Sequence, residues 1–420
     1  MLIMNFLYCF FILFSASLQP ETQMLETIRQ DKYLAAGNHH TYIAPDKKCL
    51  DTKAPRGYKP FYIGYYGRHG SRFLTGKIEF ISGYREKFDS LHVLGLLTEE
   101  GEQLRDWLKW SEEMHRGNEG MLTQTGYEEE KGIGERFARR YRRIFHQKTR
   151  KSVRWRSSPV LRSAMTGTSF LLSLQRSAPR LQFDLNAGPR YYFTRWDPNP
   201  SLDETENRIA DSLFRARFPE QEFWTRMTAD SQKSGSILGD TYTAACEIIH
   251  ILGISRCIDK EADPYALFTE EELFAYAVSQ NARIAAWFTH STETGCYRDT
   301  NAGSHLVHEV LARAQEAVDG NDICADLRFG HDSGVAPSLS FLHSEGYDQC
   351  TSLSDTYISW PAYKHVTMGC SYAFVLYRNR KGEVLVKLLE NEKETTVPAL
   401  SPFKGPYYRW GDFKAYCEAL

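Results

Sequence analysis

The sequence predicts an α/β fold built on a buried, mainly parallel sheet with a mostly helical insertion, and three short stretches carry that reading. Phe61-Tyr62-Ile63-Gly64-Tyr65-Tyr66 is a continuous apolar run ending at Gly67, as a strand covered on both faces requires. Ser152-Val153-Arg154-Trp155-Arg156 and Cys324-Ala325-Asp326-Leu327-Arg328-Phe329 are two further strand candidates, each followed by a turn or helix start. With 420 residues the chain can bury a large core, as one big domain or two moderate ones.

Taken in order, residues 1–17 (MLIMNFLYCFFILFSAS) place an apolar stretch, Phe6 to Phe14, before small residues. The stretch is short for a membrane span, and Ser15 and Ser17 fit the positions preceding a signal-peptidase cut. We read it as a secretory signal and expect a secreted or periplasmic protein; no Lys or Arg precedes the apolar part, and an uncleaved N-terminal anchor is the alternative. Without Cys9, the cysteines are Cys49, Cys246, Cys257, Cys296, Cys324, Cys350, Cys370 and Cys417, whose spacings select no pairing. No CxxC or Cys/His cluster with zinc spacing occurs, so neither a metal nor a cofactor is expected.

Thr98 caps a helix in which Leu104, Trp107 and Leu108 share a face, and Thr123 caps another running through Ile133, Phe137, Tyr141 and Ile144. Arg136, Arg139, Arg140, Arg142 and Arg143 are expected on the solvated side of the second, paired with Glu128 to Glu130 and Glu135. Ser158 as cap and Pro159 as first residue predict a helix start that puts Arg162 in the first turn, beside backbone N–H groups that favour an anion. Residues 190–300 are rich in aromatic and charged side chains and read as an α-helical cap, between core segments 18–189 and 301–420. Gly303 to Val318 reads as a helix, and Asn379-Arg380-Lys381-Gly382 joins two apolar strands into a hairpin.

The chemistry concentrates in Gly67-Arg68-His69-Gly70-Ser71-Arg72, immediately after the first strand. Two guanidinium groups can hold phosphate oxygens bidentately, and their field disfavours a protonated imidazole, which leaves a ring nitrogen free to attack. The glycines are expected to let the backbone approach a ligand closely. A formal net charge of -2 argues against a general polyanion binder, so phosphate affinity must be local and the partner a small molecule, with no nucleic acid and no membrane span. Ligands of open α/β sheets bind beyond the strand carboxyl ends, where segments ending at His69, Ser158 and His331-Asp332 can converge.

Arg-His-Gly-Ser-Arg, then Leu122-Thr123-Gln124-Thr125-Gly126, then an arginine early in a helix, then a strand ending His331-Asp332, resembles the histidine acid phosphatase family over about residues 59–390. The resemblance implies a three-layer α/β sandwich, phosphoglycerate mutase-like, with an α-helical domain, and metal-free hydrolysis of phosphomonoesters. It implies that His69 is the nucleophile that becomes phosphohistidine. Arg68, Arg72, Arg162 and His331 then hold the phosphate, and Asp332 protonates the leaving oxygen. Two departures stand out: Phe73-Leu74 replaces the proline usual after the second arginine, and His331-Asp332-Ser333 replaces the His-Ala-Glu typical of multiple inositol polyphosphate phosphatases, which the chain otherwise most resembles. The leading expectation is hydrolysis of inositol polyphosphates such as phytate. The alternatives are a broad acid phosphatase for sugar phosphates and an inactive phosphate-binding module.

Overall fold

The computed structural model describes residues 20–46, 52–146, 151–191, 200–295 and 301–420. The segment read as a signal, residues 1–17, lies outside them, as do Cys49 and Cys296. Eight strands form one sheet: β1 (Lys59–Arg68), β2 (Ser152–Ser157), β3 (Gln182–Ala187), β4 (Ile323–Gly330), β5 (Ser371–Arg378), β6 (Val384–Glu390), β7 (Lys393–Thr395) and β8 (Tyr407–Arg409). Their order is β3-β2-β4-β1-β5-β6-β7, with β8 paired to β6. The four strands from β3 to β1 are parallel, and β5 turns the sheet antiparallel at β1.

Side chains of β1 alternate between two apolar layers, as the period of an extended chain dictates. Ile63 and Tyr65 pack with Phe137 and Phe170 of helices Gln124–Arg140 and Leu161–Ser177. Tyr62 and Tyr66 pack on the opposite face with Leu306, Val310 and Leu339 of helices Asn301–Asp319 and Asp332–Phe341. The result is a three-layer sandwich. A further apolar cluster joins Ile248, Leu273 and Phe223 of the later helices to Ile28, Phe88 and Leu104 of helices Pro20–Gln30, Glu79–Val93 and Glu99–His115. Among the described residues from 190 to 300 there is no strand, and the longest helix, Glu270–Phe288, opens with a complete capping box at Thr269 and Glu272.

Thr98 and Thr123 cap their helices as expected, each accepting from the N–H three residues on. Other expectations need correction. The helix after Thr123 ends at Arg140, and Ile144 lies on a separate turn, Arg142–Phe145. Of the arginines expected on its solvated side, Arg139, Arg142 and Arg143 are exposed, but Arg136 grips the buried Glu392 carboxylate and Arg140 donates to the Glu392 backbone carbonyl. The helix expected to begin at Pro159 begins at Leu161, with no side-chain cap. Cys350 is disulfide-bonded, whereas Cys246, Cys257, Cys324, Cys370 and Cys417 are free thiols.

Gly167 lets helix Leu161–Ser177 sit on the sheet. A Cβ there would lie 2.6 Å from both the Phe329 ring and Trp155 Nε1. Gly167→Ala therefore overpacks that layer and is expected to destabilise the protein by about 1–3 kcal/mol, read as a lower denaturant midpoint at unchanged slope.

Candidate active site

The carboxyl ends of β1, β4 and β2 lie side by side, with Arg68 in register with Gly330 and Ser157 with Phe329. This register brings His69 and His331 together, their ring centroids 5.6 Å apart, and sets Ser158 Oγ 3.4 Å from His331 Nε2. The serine that read as a helix cap thus faces the site. His69 is 2% exposed, and its Nδ1 lies 2.9 Å from the Gly70 carbonyl oxygen. A carbonyl only accepts, so Nδ1 carries the ring hydrogen and Nε2 keeps its lone pair. Burial, then the charges of Arg68, Arg72 and Arg162, then His331, hold the His69 pKa well below the usual histidine value. Burial first and the Arg162 charge next push His331 down to about 4, against an upward pull from Asp332.

Arg68 is fixed from several sides. Its Nη1 donates to the carbonyls of Asn38 and Val366, each at 2.7 Å, and Nη2 pairs with Asp332 Oδ2 at 3.0 Å. Arg72 donates from Nη1 to the Phe73 carbonyl, and burial followed by the neighbouring Arg68 and Arg162 charges pushes its pKa down to about 9. Arg162, second residue of its helix, reaches the Gly120 carbonyl from Nη1 at 3.4 Å. Asp332 heads helix Asp332–Phe341, accepts from its neighbour Ser333 N–H at Oδ1 and from Asn38 Nδ2 at Oδ2. Burial raises its pKa, but Arg68, His331, Arg72 and Asn38 together outweigh burial and leave it below the ordinary carboxylate value.

The Leu-Thr-x-x-Gly segment holds the catalytic-type loop in place. Thr123 Oγ1 donates to the Ser71 carbonyl at 3.0 Å, the Thr123 N–H donates to the same oxygen at 2.9 Å, and Leu122 bridges to Arg72. The Phe73 N–H continues the pairing onto the Met121 carbonyl, which settles the path of the chain where the usual proline is missing. Gly70 and Gly126 allow this contact: a Cβ on Gly70 would be 2.7 Å from the Gly126 carbonyl, and one on Gly126 2.3 Å from that of Ser71. At Gly67 a Cβ would run into the Tyr65 ring. The glycines of the motif therefore serve packing within the protein.

All six residues singled out from the sequence, Arg68, His69, Arg72, Arg162, His331 and Asp332, come together. Four others escaped that reading. Asn38 arrives from the N-terminal segment to touch both Arg68 and Asp332. Glu129 accepts from the Ser71 N–H and hydroxyl at 2.7 and 2.8 Å, so a carboxylate expected to balance helix arginines instead anchors the loop. Thr166 Oγ1 accepts from the Gly70 N–H. The Tyr66 hydroxyl accepts from the His331 N–H in the space left by Gly330 and Gly334. Among the described residues, no group of three or more His, Cys, Asp or Glu side chains is placed to hold a metal ion.

Solved structures that share the architecture include phosphatases and phytases, so the fold expected from the histidine acid phosphatase resemblance is the one observed. The multiple inositol polyphosphate phosphatase of Bifidobacterium longum, solved with inositol hexasulfate, matches with a TM-score of 0.74 at 17% identity, covering 91% of this chain and 97% of that one. The phytase from D. castellii matches at 0.67 and 13% identity over 92% and 85% of the two chains. Hafnia alvei phytase in complex with tartrate matches at 0.53 and 13% identity over 87% and 98%. The likeness is one of fold. No family model matches the sequence, and no curated protein matches it.

The electrostatics give a direct test. In a histidine NMR titration, His69 should keep the spectrum of a neutral Nδ1–H imidazole to well below the ordinary histidine range, and His331 should titrate only near pH 4. A His69 midpoint close to the ordinary value, about 6.5, would mean that the arginine field does not reach the ring.

Proposed function

We propose that the chain is a phosphomonoester hydrolase that works through a phosphohistidine on His69, with inositol polyphosphates such as phytate as substrate. The observation that carries this is a neutral imidazole, its Nε2 unprotonated, buried among three arginines at the carboxyl ends of parallel strands. Phosphoryl transfer passes through a loose state with charge on the equatorial oxygens, so positioning and electrostatic stabilisation do most of the work. Arg68, Arg72 and Arg162 supply that positive field, and Nε of Arg68 and of Arg72 are buried N–H donors without a partner. An inositol alkoxide leaves poorly and needs a proton. Asp332 is the carboxyl at hand.

Asp332 is ionised and paired with Arg68 when no substrate is bound. A phosphate group entering the cluster adds negative charge beside Asp332 and competes for Arg68, and both effects raise the carboxyl pKa toward the protonated form that donates. After transfer the carboxylate takes a proton from the water that attacks phosphohistidine, and is reset. Preference for inositol polyphosphates over sugar phosphates is supported by the neighbours' fold. The reading of a secreted or periplasmic protein is supported by the apolar N-terminal stretch and by the disulfide at Cys350. Among the described residues, no single helix is long and apolar enough to cross a membrane.

His69→Ala should abolish release of phosphate from phytate, followed by ion chromatography of the products, while EDTA leaves wild-type turnover intact. Comparable turnover of glucose phosphates and phytate would favour the broad acid phosphatase. Asp332→Asn should lose about 10²–10⁴ in rate with an inositol phosphate and far less with p-nitrophenyl phosphate, whose phenolate departs unaided. Because protonated Asp332 is the active form, rates on inositol phosphates fall as pH rises. The limb in kcat, set by the substrate complex, should lie at higher pH than the limb in kcat/KM, set by the free enzyme with its lowered carboxyl. Equal losses on both substrates would assign Asp332 to phosphate positioning.

A further inference from the structure

Asn38 bonds both members of the Arg68–Asp332 pair at once, through two different groups. Its backbone carbonyl accepts from Arg68 Nη1 at 2.7 Å, and its side-chain Nδ2 donates to Asp332 Oδ2 at 3.3 Å. The turn that delivers it, Lys32–His39, is built to hold one shape. Asp31 caps the turn by accepting from the Tyr33 N–H, and the Tyr33 ring stacks on Tyr265 with centroids 4.6 Å apart. Gly37 has φ 57° and ψ −116°, a conformation open to glycine and strained for any residue with a Cβ, which breaks the helical path just before Asn38. Beyond it the His39 carbonyl accepts from Cys257 Sγ at 3.1 Å and the His40 carbonyl from the Met368 N–H at 2.9 Å. Asn38 is clamped from both sides while remaining half-buried itself.

Asp332 Oδ2 receives two donors, Arg68 Nη2 and Asn38 Nδ2, whereas Oδ1 receives the Ser333 N–H. The two donors on Oδ2 differ in what an anion does to them. A phosphate competes for the Arg68 charge, but the Asn38 amide is neutral and tied to its turn, so it stays with the carboxyl. We propose that Asn38 is a positioning residue for the general acid: its amide keeps the Asp332 carboxyl oriented after Arg68 has turned to the phosphate, and favours the ionised form that must take a proton back. This rests on the reading of Asp332 as the acid. In the first half-reaction the bond from His69 Nε2 to phosphorus forms, the bond from phosphorus to the leaving oxygen breaks, and that oxygen takes the Asp332 proton. In the second, water attacks phosphorus, its proton passes to Asp332, and Nε2 is released. The other groups facing Asp332 are Arg68 and Tyr66 of β1, Arg72, His331 and Cys370. Burial pushes the Tyr66 hydroxyl and the Cys370 thiol up, His331 lies at about 4, and Arg72, at about 9, acts on every phosphate ester alike.

The test compares pH profiles of the full chain as wild type, Asn38→Ala and Asn38→Asp, on an inositol phosphate and on p-nitrophenyl phosphate. Both variants keep the backbone carbonyl that holds Arg68, so they isolate the side chain. A hydrogen bond to the charged form lowers a carboxyl pKa. Its loss in Asn38→Ala should therefore move the high-pH limb of kcat on the inositol phosphate upward by roughly half a unit to one unit, and the like charge in Asn38→Asp should move it further. On the acid side of that limb, Asn38→Ala should lose about tenfold in kcat with the inositol phosphate and less with p-nitrophenyl phosphate, because only the poorer leaving group needs a well-placed proton. Adding Asn38→Ala to Asp332→Asn should cost little more than Asp332→Asn alone. A partly unfolded variant loses amplitude at every pH and leaves the limb where it is. Limbs unmoved in both variants, or equal losses on both substrates, would overturn the proposal and leave Asn38 as support for its turn. If Asp332→Asn itself fails to distinguish the two substrates, the general-acid reading fails and the proposal falls with it; a clear Asp332→Asn effect beside unmoved limbs overturns the proposal alone.

Discussion

A buried cluster of positive charge is the constraint around which the site is built. Arg68, Arg72 and Arg162 surround His69, and Asp332 pairs with Arg68 at 3.0 Å. Burying like charges in a medium of low polarity is costly, and the protein shows where the cost falls: Arg72 is pushed down to about 9 and His69 is kept from protonating. An anion with two negative charges relieves all of this at once. On the proposed function the arrangement is tuned to its ligand before the ligand arrives, and the field that would bind phosphate also keeps the imidazole neutral.

Holding that field in place takes residues from distant parts of the chain. Asn38 and Val366 offer carbonyls to Arg68, so the arginine is locked between an N-terminal turn and the approach to β5. Glu129 and Thr123 clasp Ser71 from the first two turns of one helix, and the close approach of Gly70 to Gly126 brings those turns within reach. Tyr66 passes between Gly330 and Gly334 to fix the backbone of His331. The motif residues do the chemistry proposed here. Their precision comes from neighbours without any motif, which is how a site held to fractions of an ångström is normally built.

Much of this was legible in the sequence where burial imposes a pattern. β1, β4 and the β5-β6 hairpin announce themselves as short, largely apolar stretches and β2 by alternating Val153 and Trp155 with arginines, and the arginines and histidines at the ends of β1 and β4 are poorly suited to a core. β3 did not register, because it is a short edge strand with mostly exposed side chains. The Ser158-Pro159 pair carried the right residues for a cap, but Ser158 faces His331 and the helix starts two residues beyond Pro159. Asn38 and Glu129 were invisible for another reason: their partners lie far away in sequence, and a lone Asn or a Glu in an acidic run looks like any solvated residue until the fold brings it inward.

The central claim is that Nε2 of His69 attacks phosphorus. Mixing the enzyme with a labelled phosphomonoester, quenching within milliseconds in alkali rather than acid and mapping the label by mass spectrometry tests it most directly, because phosphohistidine survives alkali and is lost in acid. The account predicts label on His69, none in His69→Ala, and discharge of the label by water at the rate of turnover. Label on an aspartate or serine, or full turnover with no labelled residue at any quench time, would contradict it.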